Sequence, residues 1–371
     1  MLHTTHYNAI GLMSGSSLDG LDICYVQFSV QSTQSSDKLI AYIDYQILQA
    51  DCIEYTNEFR ERLRNASTLS AFEFAQLHTE LGNYFGILTN NFIQEYKIEN
   101  LDFIVSHGQT IFHQPLNGFT SQIGCGAQLA AQTQQKVICD LRTSDIAYGG
   151  QGAPIVPIAE KYLFKDFSIF LNIGGIANIS FHEKNSHSFS IHAYDVCAGN
   201  TLLNYLVQQK DFDFDDKGNI ARSGKINYDL LAALNNIEFC KASAPKSLGS
   251  EHIYQYWISL VENYSISIED KLATAVEHIA IQVGNAVQKQ NLDATAKMLV
   301  TGGGAFNVFL IERIQFYISN KIIVPDTNTI QYKEALAMAF IGLLRILEIP
   351  NCVSSVTGAR KDVVGGAVYL P

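Results

Sequence analysis

The chain has 371 residues, of which 47% are hydrophobic and 16% are charged, and its formal net charge is −11 at pH 7. This length suits two lobes better than one core, and the composition excludes a disordered chain. The acidic balance argues against nucleic acid as a partner, because a nucleic-acid binder needs a basic face. An anionic ligand would therefore have to be bound locally, by backbone N–H groups and a metal ion.

Cysteine usage and hydropathy indicate a cellular compartment. Seven cysteines are scattered along the chain with no C-x-x-C pair, which favours reduced thiols and a cytoplasmic protein. No run of residues is apolar enough to span a membrane, and the first residues lack a basic segment followed by an apolar one. We therefore expect a protein that is neither secreted nor attached to a membrane.

The chain opens with patterns typical of strands. Residues 10–13 and 21–28 predict two strands that flank a glycine-rich turn. A polar, serine-rich hairpin tip follows at residues 31–38, and residues 39–50 predict a third strand. Such a three-stranded meander is a typical opening for a ribonuclease-H-like lobe.

The pattern then changes to a helical period. Apolar residues at steps of three and four predict an amphipathic helix over residues 71–96. Two short buried strands, at residues 103–105 and 137–139, each lead into polar residues. Polar residues that follow the carboxyl ends of buried strands lie where α/β sheets usually place their sites.

The second half repeats the opening theme, with a strand, a glycine turn and a second strand over residues 169–181. This similarity predicts two lobes of similar build. The remaining expected elements are a helix over residues 271–290, a strand at 298–300, a helix from about Ala305, a helix over 334–347, and a strand or short helix at 363–369.

Three glycine turns, at residues 13–20, 172–178 and 301–307, each follow a predicted strand. Glycine lets the backbone approach a phosphate without a clash at Cβ. Any one of these turns could be a plain hairpin turn, but together they predict a nucleotide in a cleft between two lobes. The Walker pattern and the dinucleotide fingerprint are both absent. The residues expected to bind ATP are Gly11, Ser14, Gly15, Ser16, Ser17, Asp19, Gly20, Gly174 and Gly175 on the phosphates, and Gly302, Gly303 and Gly304 on the nucleoside.

These turns resemble the phosphate and adenosine elements of the superfamily of actin, hexokinase and acetate kinase. A closer resemblance is to the anhydro-N-acetylmuramic acid kinases, whose signature opening is similar to residues 11–22, with Thr in place of Ser16. Further blocks that resemble the family occur in family order at residues 106–110, 149–157, 171–178 and 356–359.

The resemblance implies an α/β protein of two ribonuclease-H-like lobes with ATP and Mg²⁺ between them. It implies lobe I at residues 1–140, completed by residues 346–371, and lobe II at residues 141–345. The implied reaction opens the anhydro bond of 1,6-anhydro-N-acetylmuramic acid with water and phosphorylates O6, in peptidoglycan recycling. No protein ligand to the metal is assigned, because Mg²⁺ would arrive with ATP.

The resemblance also implies site residues. Asp195 matches the aspartate of a family block and is the expected base for water, although it could instead be a turn-capping residue. Arg142 suits a carboxylate of the sugar, or forms an ordinary surface ion pair. Glu334 is expected on the sugar, or is a favourable charge at a helix N-terminus. The full set expected on the sugar is His107, Gln109, Thr110, Arg142, Asp145 and Glu334.

Two departures from the family leave alternatives open. Three residues after Asp195 differ from the usual Thr-Gly-Pro, and Ser250 stands where the family often has arginine. One alternative is a kinase for a related anhydrosugar or amino sugar, and another is a nucleotide-binding protein without catalysis. The expected partners are small molecules, not membranes. Family members are often dimers, so a homodimer is one expectation, although no stretch identifies an interface.

Overall fold

The computed structural model describes residues 2–15, 18–33, 40–185, 188–244, 246–290 and 292–371. Its strands are β1 (Leu2–Ser14), β2 (Gly20–Thr33), β3 (Ile40–Glu54), β4 (Phe103–Ser106), β5 (Gln109–Gln114), β6 (Phe119–Ile123), β7 (Val137–Cys139), β8 (Phe167–Ile173), β9 (Ile176–Asn185), β10 (Ser188–Ala198), β11 (Lys297–Thr301), β12 (Ile322–Ile323) and β13 (Ala367–Tyr369).

The helices lie between and around these strands. They are α1 (Asn57–Arg64), α2 (Ala71–Glu95), α3 (Gly126–Thr133), α4 (Thr143–Ala147), α5 (Pro157–Leu163), α6 (Asn200–Gln208), α7 (Asn219–Ser223), α8 (Tyr228–Asn235), α9 (Glu238–Lys241), α10 (Ser250–His252), α11 (Ser259–Glu262), α12 (Ile268–Gln288), α13 (Val308–Tyr317), α14 (Thr327–Ile346) and α15 (Ser354–Thr357). Short 3₁₀ turns occupy Ala66–Thr68, Pro115–Asn117, Asp216–Gly218 and Gly303–Phe306, and a π-helical turn spans Ile253–Ile258.

The chain divides into two compact units. Unit 1 comprises Met1–Lys165 and Tyr332–Pro371, and unit 2 comprises Asp166–Gln331. The sequence predicts residues 141–165 and 332–345 in the second lobe, whereas the structure groups them with unit 1. The reason is packing, because α5 lies against β3 and the second part of α14 lies against β1 within unit 1.

Unit 1 is built on a six-stranded sheet in the order β13-β7-β4-β1-β2-β3. β1, β2 and β3 form an antiparallel meander, whereas β4 is parallel to β1 and β7 is parallel to β4. Side chains alternate along β1, as they must in a strand. Ile10 and Leu12 belong to a core that also contains Leu81 and Phe85 of α2.

α2 begins with a capping box, in which Ser70 and Glu73 satisfy each other's backbone N–H groups. Its buried face then supplies the apolar stripe that the sequence predicted. On the other face of β1, Gly11 packs against the backbone of α14 at Ala335. The central strand of unit 1 is thus covered by a helix on each face.

Unit 2 is built on a five-stranded sheet in the order β10-β9-β8-β11-β12. β8, β9 and β10 are antiparallel, and β8, β11 and β12 are parallel. Its core includes the fully buried Phe181 and Trp257 and one face of α12. Unit 1 has the same arrangement in its first five main strands. This order and direction are those of a ribonuclease-H-like sheet, so the predicted α/β class and the similar build of the two halves are confirmed.

Most predicted elements are confirmed, with shifts at their ends. β2 continues to Thr33, and the rest of the expected tip, residues 34–38, lies outside the described residues. The helix expected from Ala305 starts only at Val308, after a 3₁₀ turn, and the closing segment is the strand Ala367–Tyr369. Among the residues described, no helix is both long and apolar enough to cross a membrane.

Candidate active site

The first glycine turn joins β1 to β2 in unit 1. A Cβ at Gly11 would lie 1.9 Å from the carbonyl oxygen of Ala335, and one at Gly20 would lie 2.5 Å from that of Ile53. Both glycines are therefore required by close packing of the backbone. This packing explains both glycines without a phosphate, and their contact with phosphate stays a prediction.

Ser14 ends β1 and is buried. Its hydroxyl accepts a hydrogen bond from the Tyr55 hydroxyl at 2.6 Å and donates one to Oε1 of Gln109. Burial raises the pKa of Tyr55 well above its ordinary value, so the phenol remains a donor. The three side chains form a buried polar chain, and Ser14 and Gln109 serve each other rather than facing a ligand.

The tip of this turn is held by an arginine that the sequence did not single out. Arg60 donates from Nε to the carbonyl of Leu18 at 3.0 Å and from Nη2 to that of Asp19 at 3.3 Å. Leu18 has a positive φ of 58°, and Asp19 is exposed. Of the other expected phosphate residues, Gly15 lies at the tip, and Ser16 and Ser17 lie outside the described residues.

Acidic side chains surround the exit from this turn. Burial raises the pKa of Asp22 and the negative charges of Glu334 and Asp19 raise it further, while a hydrogen bond with Cys52 opposes the shift. Within the described part of the chain, no three acidic, histidine or cysteine side chains converge as a metal site. These carboxylates fit a cation such as Mg²⁺ that keeps water and phosphate among its ligands.

His107 and Arg142 form the polar centre of unit 1. Arg142 donates from Nε to Nε2 of His107 at 2.9 Å, so Nδ1 of the histidine carries the proton and donates to the carbonyl of Gly108 at 2.9 Å. Burial, together with the charge of Arg142, lowers the pKa of His107 to about 4. The imidazole is therefore neutral at pH 7 and orients the guanidinium.

Arg142 also donates from Nη1 to the carbonyl of Gly152 at 2.7 Å. Burial lowers its pKa, while the negative charge of nearby Glu334 acts in the opposite direction. Its contacts are not those of a surface ion pair. Nη2 donates to no described residue and is therefore available to donate to a ligand.

Asp145 has a structural task. It is fully buried, and its carboxylate accepts from the backbone N–H of Gly152 at 2.7 Å and from the hydroxyl of Thr357 at 2.7 Å. A Cβ at Gly150 would lie 2.1 Å from this carboxylate. Asp145 therefore fixes the loop that supports Arg142, rather than contacting the sugar as the sequence predicted.

Two other expected sugar residues lie nearby. Thr110 accepts from Nε2 of Gln122 at 3.2 Å. Glu334 is exposed and lies inside α14, which begins at Thr327 and departs from helical geometry at Tyr332 (φ −112°, ψ 15°). Because this break at Tyr332 starts a new helical segment, Glu334 lies in the first turn of that segment. Its position is therefore compatible with the alternative of a charge near a helix N-terminus, and its contact with the sugar stays a prediction. A cavity of about 460 Å³ in unit 1 is lined by His107 but by no other residue of the expected sugar set.

The second glycine turn joins β8 to β9 in unit 2. A Cβ at Gly174 would meet no atom closer than 3.8 Å, whereas one at Gly175 would lie 2.6 Å from Oγ1 of Thr201. The carbonyls of both glycines accept hydrogen bonds from the first N–H groups of α6, including Asn200 N to Gly174 O at 2.8 Å. The turn is thereby attached to the segment that follows β10. The N–H of Gly174 donates to the carbonyl of Ile176 at 3.1 Å, so what stays free at Gly174 is the space beside its Cα.

Asp195 lies on β10, at a β-bulge where the register shifts. Its Oδ1 accepts from Nδ2 of Asn178 at 2.9 Å, and its Oδ2 accepts from the hydroxyl of Ser247 at 3.2 Å and the N–H of Leu248 at 2.8 Å. Asn178 is its direct partner across β9 and β10. We call these three donors the carboxylate clamp. The clamp fixes the carboxylate while its side chain stays partly exposed, which is what a positioned base requires.

The third glycine turn borders a cavity of unit 2 of about 720 Å³. Gly302 has a φ of 81°, and a Cβ at Gly304 would lie 2.3 Å from Ile173, so both are needed for the backbone path. Gly303 lines the cavity beside the exposed rings of Phe214 and Phe306. A glycine backbone beside two accessible rings suits a flat aromatic base.

Comparison with known proteins places this arrangement in a family. The family model of anhydro-N-acetylmuramic acid kinase matches residues 7–371. The chain belongs to the anhydro-N-acetylmuramic acid kinase family. It is 33% identical to the anhydro-N-acetylmuramic acid kinase of Vibrio parahaemolyticus, with 97% of each chain covered. It is 32% identical to that of Pasteurella multocida, over 97% of this chain and 96% of the relative.

A similar solved structure is the activator of the 2-hydroxyisocaproyl-CoA dehydratase from Clostridium difficile with bound ADPNP. It is 16% identical, with a TM-score of 0.45 over 92% of this chain and 96% of that chain.

In this member of the anhydro-N-acetylmuramic acid kinase family, the carboxylate clamp is present although the three residues after Asp195 depart from the family pattern. Val196, Cys197 and Ala198 follow Asp195, and all three are buried in the core of unit 2. The departures from the family pattern therefore change core packing. The side chain of Ser250, where a family arginine is missing, lies outside the described residues.

Several groups at the site were missed by sequence reasoning. Asn178 ends one of the blocks that resemble the family, yet its contact with Asp195 depends on strand register, which the sequence does not display. Ser247 and Leu248 come from a distant loop. Tyr55 and Arg60, which hold the first turn of unit 1, follow β3 with no motif to mark them.

Proposed function

We propose that the protein is an ATP-dependent kinase acting on 1,6-anhydro-N-acetylmuramic acid. Water attacks the anomeric carbon, the bond from that carbon to O6 breaks, and O6 takes the γ-phosphoryl group as its bond to ADP breaks. The products are N-acetylmuramic acid 6-phosphate and ADP. The observation that carries the proposal is the clamped, partly exposed carboxylate of Asp195 within a chain of this family.

Asp195 acts as the general base in this proposal. It takes a proton from the attacking water. The three donors of the clamp hold both carboxylate oxygens in place, and all three donors are uncharged. A positioned base contributes roughly 10² to 10⁴ in rate. Because Oδ1 accepts from one donor among the described residues, it keeps a lone pair for water.

Unit 1 supplies recognition of the sugar in this proposal. Arg142 binds the lactyl carboxylate through Nη2, and His107 and the carbonyl of Gly152 orient the guanidinium. Glu334, an exposed carboxylate, accepts a hydroxyl or amide hydrogen of the sugar. Asp145 acts on these groups only through the loop that it fixes.

ATP is the phosphoryl donor, and its adenine occupies the 720 Å³ cavity of unit 2 beside Phe214 and Phe306. Gly174 leaves space beside its Cα for the phosphates, and Gly303 lines the cavity proposed for the nucleoside. Mg²⁺ would neutralise the phosphate charge, with Asp19 and Asp22 as the nearest candidates to hold it in unit 1. The use of ATP and the free thiols of the seven cysteines favour a cytoplasmic enzyme, and the family favours a role in peptidoglycan recycling.

The test is incubation with ATP, Mg²⁺ and 1,6-anhydro-N-acetylmuramic acid, followed by mass analysis of the product. The product is expected to gain one phosphate and one water. N-acetylmuramic acid, which has no anhydro bond, serves as the control acceptor and should release ADP far more slowly. A phosphorylated product with an intact anhydro ring would contradict the coupled reaction, and ATP binding without sugar-dependent ADP release would favour a non-catalytic protein.

A further inference from the structure

A second cavity of unit 2, of about 280 Å³, lies between α12 and the end of β10. Tyr194 and Val196, the neighbours of Asp195 on β10, line it, whereas Asp195 and the clamp do not. Tyr194 precedes the β-bulge, where side chains still alternate, so its ring and the cavity that it lines lie on the opposite face of β10 from the Asp195 carboxylate. It is distinct from the 720 Å³ cavity, with which it shares no lining residue.

The polar lining of this cavity is cationic and rich in amides. Two lysines and three side-chain amides contribute to it, and no carboxylate does so among the described lining residues: Lys246, Lys289, Gln282, Asn285 and Gln290. The chain has a net charge of −11, so a cavity whose described lining includes lysines and no Asp or Glu has the opposite charge to the protein as a whole. An ammonium pair with neutral donors around it is suited to an anion.

Lys246 is the more buried of the two lysines. Its Nζ donates to the carbonyl of Phe239 at 2.8 Å and lies 4.6 Å from the centre of that ring. Burial lowers its pKa, and the positive charge of Lys289 lowers it further, while Cys240, Cys197 and Asp195 act in the opposite direction. The ammonium thus lacks a close carboxylate partner within the described residues, and an anion in the cavity would supply the missing charge.

We propose that this cavity binds a phosphate dianion, either free or as the monoester of a small organic molecule. Lys246 and Lys289 neutralise its charge, and the exposed amide group of Asn285 adds a neutral hydrogen-bond donor. The side chains of Tyr194 and Ala286 provide an apolar wall for the carbon part of a monoester.

The site is mechanically linked to Asp195. The carbonyl of Lys246 accepts the backbone N–H of Asp195 at 3.1 Å, and the next two residues, Ser247 and Leu248, belong to the clamp. An anion that holds Lys246 therefore also fixes the segment that positions the carboxylate. Binding at this cavity does not depend on the proposed reaction.

The test is phosphate binding by calorimetry, with the full chain and with its nucleotide site saturated by a Mg²⁺ complex of a non-hydrolysable ATP analogue. Inorganic phosphate and glucose 6-phosphate are titrated separately, to distinguish a free ion from a monoester. Lys289→Ala removes one exposed cation of the cavity, and Lys297→Ala is the matched control, an exposed lysine of unit 2 outside it.

We expect saturable binding of at least one probe to the parent protein. Lys289→Ala should weaken it by about tenfold or more, because a charge-assisted hydrogen bond is lost, whereas Lys297→Ala should not change it. Tighter binding of glucose 6-phosphate than of phosphate would identify a monoester site. Absence of saturable binding at millimolar concentrations, or equal affinity in both variants, would overturn the proposal. Sugar-dependent turnover, measured in parallel, reports separately on the proposed function.

Discussion

Each unit has a glycine-rich turn at the corresponding point of its own sheet, between the first two strands. The glycines in and beside the two turns have different surroundings. In unit 1, added Cβ atoms at Gly11 and Gly20 would collide with backbone at 1.9 and 2.5 Å. In unit 2, a Cβ at Gly174 would meet nothing nearer than 3.8 Å. A glycine can thus be required by close packing of the backbone in one unit and leave free space beside its Cα in the other.

The polar residues of the two turns differ in the same way. Ser14 in unit 1 is buried between Tyr55 and Gln109, and its hydroxyl is fully engaged. Asn178 in unit 2 directs its amide to a partly exposed carboxylate, that of Asp195. In unit 1 the polar residue that leads into the turn therefore serves buried packing at the end of β1, while in unit 2 the polar residue that leaves the turn positions a carboxylate.

Alanine in place of each glycine should give the largest contrast. Gly11→Ala is expected to destabilise the protein by about 3 kcal/mol or more, because the α14 backbone at Ala335 would have to move. Gly174→Ala should leave the free energy of unfolding nearly unchanged and instead raise the KM for ATP. Denaturant unfolding and steady-state kinetics measure the two effects. Equal stability of the two variants would remove the distinction between the turns.

The buried polar chain of unit 1 provides the next test. Ser14→Ala leaves the Tyr55 hydroxyl and Oε1 of Gln109 without their partner, which should cost about 1–3 kcal/mol of stability. Tyr55→Phe in the Ser14→Ala background should recover part of that loss, since it removes one unsatisfied donor. A variant with normal stability but greatly weakened ATP binding would show that Ser14 contacts phosphate after all.

Recognition by unit 1 can be tested through Arg142. Lysine keeps the charge but cannot reach His107, Gly152 and a ligand together, so Arg142→Lys should raise the KM for the sugar about tenfold, or about 1.4 kcal/mol. The KM for ATP should stay the same. Arg222→Lys, at an exposed arginine of unit 2 paired with Glu312, is the control. An unchanged KM for the sugar in Arg142→Lys would exclude this contact.

The loss of stability at acid pH can be compared at two buried histidines, one in each unit. Burial lowers the pKa of His278 in unit 2 to about 3, and burial with the charge of Arg142 lowers that of His107 in unit 1 to about 4. The unfolded chain, with histidine pKa values near 6.5, binds these protons first, so stability is present above that pH and is lost as pH falls toward the folded values.

Each histidine should therefore contribute a slope of about 1.4 kcal/mol per pH unit between pH 6.5 and its folded pKa. Replacing His278 or His107 by Gln should flatten the stability curve over that range. Urea unfolding at a series of pH values measures it. High salt should weaken the effect at His107 more, because a charge contributes there. Slopes unchanged in both variants would mean that other groups bind the protons.

The sequence predicted the elements well because strand alternation and the helical stripe of residues 71–96 are local patterns. The proximity of Arg142 and His107 could also be predicted, because both residues follow the carboxyl ends of parallel strands. The sequence could not predict that Gly11 serves packing, because its neighbour Ala335 is distant in the chain. Nor could it show that Asp145 is fully engaged by Gly152 and Thr357, which only the folded loop reveals.

The measurement that tests the central claim most directly is the turnover of Asp195→Asn, with its affinities for ATP and the sugar. Asparagine keeps the size of the side chain but cannot take a proton from water. Turnover is expected to fall by roughly 10² to 10⁴, with both affinities nearly unchanged and the fold intact. Near-normal turnover in a folded Asp195→Asn protein would contradict the account, because another group would then have to be the base.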